Sequence, residues 1–163
     1  MIFLVPYLID GNNLIFALHE VGPEVDRLGL CELLDRLAAR GERVCVIFDG
    51  PPPDAPTARI LAGKRAEAIF PSPRSADALI LERIAENSAP RRLTVVSSDR
   101  EIRRAAARRR CKVRKSEEFA VFLVKLDQDR KPPPDEPPEK RHGLSPEQVD
   151  AWLEEFEMNG DNP

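Results

Sequence analysis

"IFLVPYLIDGNN" (residues 2–13) is an apolar run that stops at Asp10 and gives way to Gly11, Asn12 and Asn13. "RVCVIFDG" (43–50) repeats the pattern, with Asp49 and a glycine closing a second apolar run. Near-continuous apolar character over so short a span marks a strand covered on both faces, the habit of a parallel sheet. With "EAIF" (67–70), "LTVVS" (93–97) and "CKVRK" (111–115), the runs at 2–9 and 43–48 predict five strands. Residues 25–40, 75–87 and 98–110 have helical period, and 116–126 adds another helix. Ser75, and Ser98 with Glu101 three residues on, stand where side chains satisfy the first amides of a helix. Strand–helix alternation with short connections predicts an α/β fold, its sheet sandwiched by helices and its crossovers right-handed.

A chain of 163 residues with 42% hydrophobic and 33% charged composition suits one domain with a real core and a solvated surface. "MIFLVPYLI" is too short to span a bilayer, and neither a basic leader nor a small-residue cleavage site accompanies it. No membrane partner is expected. Cys31, Cys45 and Cys111 are odd in number and lack CxxC spacing, so free buried thiols in a reducing, cytoplasmic setting are expected. From residue 127 the composition changes. Residues 127–143 hold five prolines among alternating charges and read as a stiff linker. Residues 144–157 read as an amphipathic helix capped by Ser145, with Val149, Trp152, Leu153 and Phe156 on one stripe, and 158–163 are expected to form a disordered tail.

The charge is divided. Residues 1–126 carry 21 Lys and Arg against 17 Asp and Glu, net +4, whereas 127–163 carry 4 against 11, net −7. Residues 91–115 hold 11 basic residues and only Asp99 and Glu101 in opposition, a local +9. That clustering is the footprint of a polyanion partner. Arg74, Arg100, Arg103, Arg104 and Arg108 are the candidate phosphate contacts, weighed against an ordinary solvated helix face.

Four acids answer why the apolar runs end as they do. Asp10 and Asp49 close the first two strands, Asp99 follows the fourth, and Asp77 sits in the first turn of the helix at 75–87. Parallel strands bring such positions to one carboxyl edge, where α/β sheets bind ligands. Singly, each acid is explained by a turn or a helix dipole. Together, like charges a few Å apart repel by roughly 4 kcal/mol per pair at intermediate dielectric, which calls for a cation. Hard ions such as Mg²⁺ or Mn²⁺ take carboxylate ligands and bridge to phosphate. The expected chemistry is metal-assisted attack of water on a phosphodiester. Asn12 and Asn13 could support Asp10, and Ser97 and Ser98 could support Asp99. His19, on a helix face, and His142, in the linker, have no partner at ligand spacing. No GxxxxGK[ST] or GxGxxG motif occurs, so no nucleotide cofactor is expected.

"YLIDGNN", "IFDG", "SADALILERI", "VVSSDREI" and "KVRKSEEF" in this order resemble the YacP-like branch of the NYN domains, relatives of the PIN-domain nucleases. The likeness covers residues 2 to about 126. It implies a three-layer α/β/α PIN-like fold with strand order 3-2-1-4-5. It also implies a Mg²⁺- or Mn²⁺-dependent endoribonuclease acting on single-stranded RNA, with ribosome association in part of the branch. By motif, Asp10, Asp77 and Asp99 become metal-binding acids, with Asp49 a fourth catalytic acid and Asn12 in support. A non-catalytic RNA-binding adaptor is the alternative. A small-molecule phosphohydrolase would want a second acid two residues after the first, and Asn12 stands there instead.

Overall fold

The computed structural model describes residues 6–129, so the linker beyond Asp129, the helix expected at 144–157 and the tail lie outside the described residues. The order of elements is β1 (Tyr7–Asp10), α1 (Gly11–Val21), α2 (Arg27–Ala38), β2 (Val44–Ile47), α3 (Ala55–Ala62) and β3 (Glu67–Ile69). There follow α4 (Ala76–Glu86), a 3-10 turn (Pro90–Arg92), β4 (Thr94–Val96), α5 (Arg100–Arg108), β5 (Lys112–Arg114) and α6 (Ser116–Gln128). All five strands are parallel and lie in the order β3-β2-β1-β4-β5. The five expected strands and four expected helices are present, each within a few residues of its predicted span. Residues 2–5 of the first predicted strand fall outside the described residues, and α6 runs two residues into the predicted linker.

Side-chain alternation in the central strands builds two cores. Ile9, Val44, Val46 and Val96 face α1, α2, α3 and α6, packing with Leu14, Leu18, Leu34, Leu61 and Phe119. Leu8, Cys45, Ile47 and Val95 face the other way, onto Ile80 and Ile84 of α4 and Ile102 and Ala106 of α5. Each fully buried aliphatic or Phe side chain contributes roughly 1.5–3 kcal/mol, so the sheet is held from both faces. Cys31, Cys45 and Cys111 are free and buried, as expected, and burial pushes the Cys31 and Cys45 thiols up to about 12.

Two helices escape the sequence pattern. Gly11-Asn12-Asn13 reads as a polar turn, yet it is the first turn of α1, and Asp10 is its N-cap. Nothing separates β1 from α1. Gly11 is required by packing: a Cβ there would lie 2.4 Å from Cδ1 of Phe48 and 2.9 Å from Cγ2 of Val46. The proline-rich stretch before α3 hides a start at Asp54, whose carboxylate accepts from the Thr57 amide at 3.1 Å, with Pro56 within the first turn. Strand order reverses between β1 and β4, which opens a crevice at their carboxyl ends.

Candidate functional site

Asp10 lies at that crevice, at the end of the central strand, and is 6% exposed. Its Oδ1 accepts from the Asn13 amide at 3.3 Å and its Oδ2 from the Ser97 hydroxyl at 3.1 Å. Ser97, fully buried at the end of β4, also accepts at Oγ from the Asp99 amide at 3.1 Å. One hydroxyl thus fixes Asp10 and aligns the residue that caps α5. Burial is the main reason the Asp10 carboxyl is raised to about 6, and the charges of Asp77 and Asp49 add to it. The hydrogen bonds from Asn13 and Ser97 work in the opposite direction.

Asp77 stands exposed in the first turn of α4. Partial desolvation of its carboxyl, then the charges of Asp99, Asp49 and Glu101, move it above the usual carboxylate range. Asp99 caps α5, with Oδ1 accepting from the amides of Glu101 at 2.8 Å and Ile102 at 3.1 Å. Asp49 caps α4 from outside the helix: its Oδ1 accepts from the Ala76 amide at 2.7 Å, while Ser75 Oγ accepts from Ala78 at 3.1 Å. Two of the orphan amides of α4 are satisfied in this way. The four expected acids therefore share one electrostatic neighbourhood. Among the described residues no group of three or more His, Cys, Asp or Glu side chains is arranged to hold a metal ion. Asp10, Asp77 and Asp99 share a field rather than a cage, and burial is the largest single cause of the raised carboxyls of both Asp10 and Asp77.

The supporting residues sort differently from expectation. Asn12 is exposed, whereas Asn13 does the joining: its Oδ1 accepts from the Ser98 amide at 2.9 Å and the Ser116 hydroxyl at 2.5 Å. Ser98 donates to Glu117 at 2.5 Å and accepts from the Ser116 amide at 3.0 Å. These bonds tie α1, the β4–α5 loop and the start of α6 together beneath Asp10. Ser116 and Glu117 fall within the motif "KVRKSEEF", but nothing in the sequence marked them as partners of the site. Of the arginines, Arg100, Arg103 and Arg104 line one groove of about 330 Å³ with Ala107 and Val113. None of the three forms an ion pair among the described residues, and Arg103 Nε is buried without a hydrogen-bond partner. Arg74 is engaged by Glu82 at 3.0 Å, and Arg108, although on α5, does not line the groove. His19 lies on α1, as expected, with Nε2 3.2 Å from the Val25 carbonyl.

A residue without sequence signal is Arg27, at the start of α2. Its Nη2 donates to the Asp49 carbonyl at 2.6 Å and its Nη1 to the Pro51 carbonyl at 3.2 Å.

Comparisons with known proteins agree with this architecture. The family model described as the YacP-like NYN domain matches residues 7–157. Two solved structures of Rae1 (YacP) from Bacillus subtilis are similar to the chain. One, a single-substitution mutant, is 21% identical over 75% of this chain and 76% of that chain, with a TM-score of 0.57. The other is 20% identical over 93% and 88%, with a TM-score of 0.55. No curated protein matches the chain. No helix among the described residues is long and apolar enough to cross a membrane.

Proposed function

Since the chain belongs to the YacP-like NYN domain family, with its PIN-like nuclease fold, we propose that it is a divalent-metal-dependent endoribonuclease cutting single-stranded RNA at the Asp10 crevice. The observation that carries this reading is a buried carboxyl raised to about 6 at the end of the central strand, under the charges of two further acids. Perturbed acids cluster at functional sites, and this one stands at the carboxyl edge where α/β sheets bind their ligands. The three-arginine groove beside Asp99 supplies the complementary surface for a polyanion.

The donor set fits Mg²⁺ or Mn²⁺. The donors are hard oxygens, and such ions are held by one or two carboxylates plus waters and substrate phosphate, so a three-acid cage is not required. Of Asp10, Asp77 and Asp99, one or two carboxylates would hold the ion directly and the rest would act on it through bound water, with Asp49 beside them. Bound there, it would acidify a water and neutralise charge developing on the phosphate. The rest is the work of the chain itself. Ser97 keeps both Asp10 oxygens directed by holding Oδ2, while Asn13 holds Oδ1. Asp99 stays oriented by its cap bonds, leaving its second oxygen for the crevice. Arg100, Arg103 and Arg104 bind the phosphate backbone without reading sequence. Within this reading the protein works in the cytoplasm, on RNA that includes messages carried by the ribosome.

A second reading is an RNA-binding adaptor without chemistry, in which the three-arginine groove on α5 does the binding. Labelled single-stranded RNA separates the two. Cutting that needs Mn²⁺, stops with EDTA and is lost in Asp10→Asn supports the nuclease. Tight binding by the wild type with no cutting at any Mn²⁺ concentration supports the adaptor.

A further inference from the structure

We propose that Arg27 is a positioning residue of the acidic crevice, a guanidinium that fixes the Asp49 loop and, through it, the start of α4 where Asp77 stands. Its use in catalysis rests on the nuclease reading above; the clamp itself does not.

Local tendencies disfavour a cation at this place. Arg27 is the first residue of α2, where the helix dipole is positive. It is half-buried and has no ion pair among the described residues. Tertiary contacts hold it instead. The planar fork donates to the Asp49 and Pro51 carbonyls at 2.6 and 3.2 Å. Its carbon lies 5.9 Å from the centre of the Phe48 ring and 5.7 Å from that of Phe70, two rings themselves stacked at 5.3 Å. Ring faces and carbonyl dipoles replace the missing carboxylate.

Gly50, between the two acceptors, has φ +94°, a conformation that glycine adopts without strain. A Cβ at this position would come 2.8 Å from Arg27 Nη2. Loop and guanidinium are thus fitted to each other. From here the path to the acids is short. The Asp49 carboxylate accepts from the Ala76 amide at 2.7 Å, and Asp77 is the next residue. Two hydrogen bonds and one peptide bond connect Arg27 to Asp77. A lysine would keep the charge but not the planar fork that meets the two carbonyls in a fixed geometry and lies near the two rings.

The test uses the full chain. In metal-free protein, amide hydrogen exchange reads the clamp: in Arg27→Gln the Ala76 amide should exchange roughly tenfold faster while Ile80, within α4, keeps its wild-type rate. Mn²⁺ titration then reads the use of the clamp. Half-saturating Mn²⁺ for cleavage should rise roughly tenfold in Arg27→Gln, with the rate at saturating Mn²⁺ nearly unchanged. Mn²⁺ binding followed by electron paramagnetic resonance should shift in parallel. Arg27→Lys should resemble Arg27→Gln rather than rescue it. Arg27→Met keeps an unbranched apolar stem near the two rings and removes every donor, and it should give the same pair of changes, which covers the case of an Arg27→Gln that does not fold. Unchanged Ala76 exchange in the folded variants overturns the clamp. Faster Ala76 exchange with an unchanged Mn²⁺ requirement overturns the positioning role. A wild-type protein that neither binds Mn²⁺ nor cuts RNA overturns the nuclease reading and the catalytic use with it, and the exchange rates then report on the clamp alone.

Discussion

Replacing Asp10 by Asn should make the metal-free protein more stable at neutral pH while abolishing its cleavage. The carboxyl is raised from 3.8 to about 6, chiefly by burial. At 1.36 kcal/mol per pH unit, keeping it ionised in the folded state costs about 3 kcal/mol at pH 7.5. Asn has nearly the same shape and no charge, so that cost disappears. The amide offers one acceptor oxygen where the carboxylate offers two, so either Asn13 N or Ser97 Oγ loses its acceptor, at about 1 kcal/mol. The net gain is about 2 kcal/mol, or about 4–8 °C in Tm for a chain of this size. The sign with pH follows from the raised folded-state value. Between 3.8 and about 6 the folded protein keeps a proton that the unfolded chain releases, so wild-type stability falls as pH climbs through that window and is level above it. Near pH 4.5 the remaining cost is about 1 kcal/mol, and the variant and wild type should be equally stable. Urea unfolding in EDTA across this pH range is the assay. An Asn variant less stable than wild type at pH 7.5, or a difference that does not change with pH, refutes the reasoning.

Other outcomes are equally specific. The Mn²⁺ concentration that half-saturates cleavage should rise as pH drops below about 6, because a proton on Asp10 then competes with the ion; in Ser97→Ala, which loses a hydrogen bond to the ionised form, the rise should begin at higher pH. Gly11→Ala should lower stability by about 1–3 kcal/mol, read by thermal or urea melting, since its Cβ would meet the Phe48 ring at 2.4 Å; a loss within error would mean that α1 shifts freely. Arg104→Ala should reduce the slope of log affinity against log salt for single-stranded RNA by about 0.7, the amount expected when one fewer phosphate is neutralised. Arg74→Ala should leave that slope unchanged, because Glu82 already engages Arg74.

Much of the architecture was legible because both faces of the central strands are covered. Leu8, Ile9, Val44, Cys45, Val46 and Ile47 are all buried, and such runs have no polar alternation to mislead. The carboxyl-edge acids were legible for a related reason: Asp10 and Asp49 break the apolar pattern at its end. What stayed hidden depends on distance along the chain. α1 was concealed because Gly11, Asn12 and Asn13 are turn formers by local propensity, and only the close approach to Phe48 reveals why a glycine starts a helix there. The apolar period of α3 is short and lies behind prolines. Arg27 reaches a loop 22 residues away, and Ser116 reaches Asn13 across 103, so neither interaction leaves a local trace. The balance of forces at Asp10 was hidden too. Spacing suggested repulsion among carboxylates as the dominant strain, whereas removal from water is the largest single cause.

Because Asp10 ends β1 and Gly11 begins α1, the central strand and its helix meet without an intervening hinge. One inserted residue would rotate α1 by about 100° and carry Gly11 off the Phe48 ring. Length variation and any opening toward a substrate must then come from connections with residues to spare, such as 70–75 between β3 and α4. The central strand acts as the anvil; only what surrounds it has room to move.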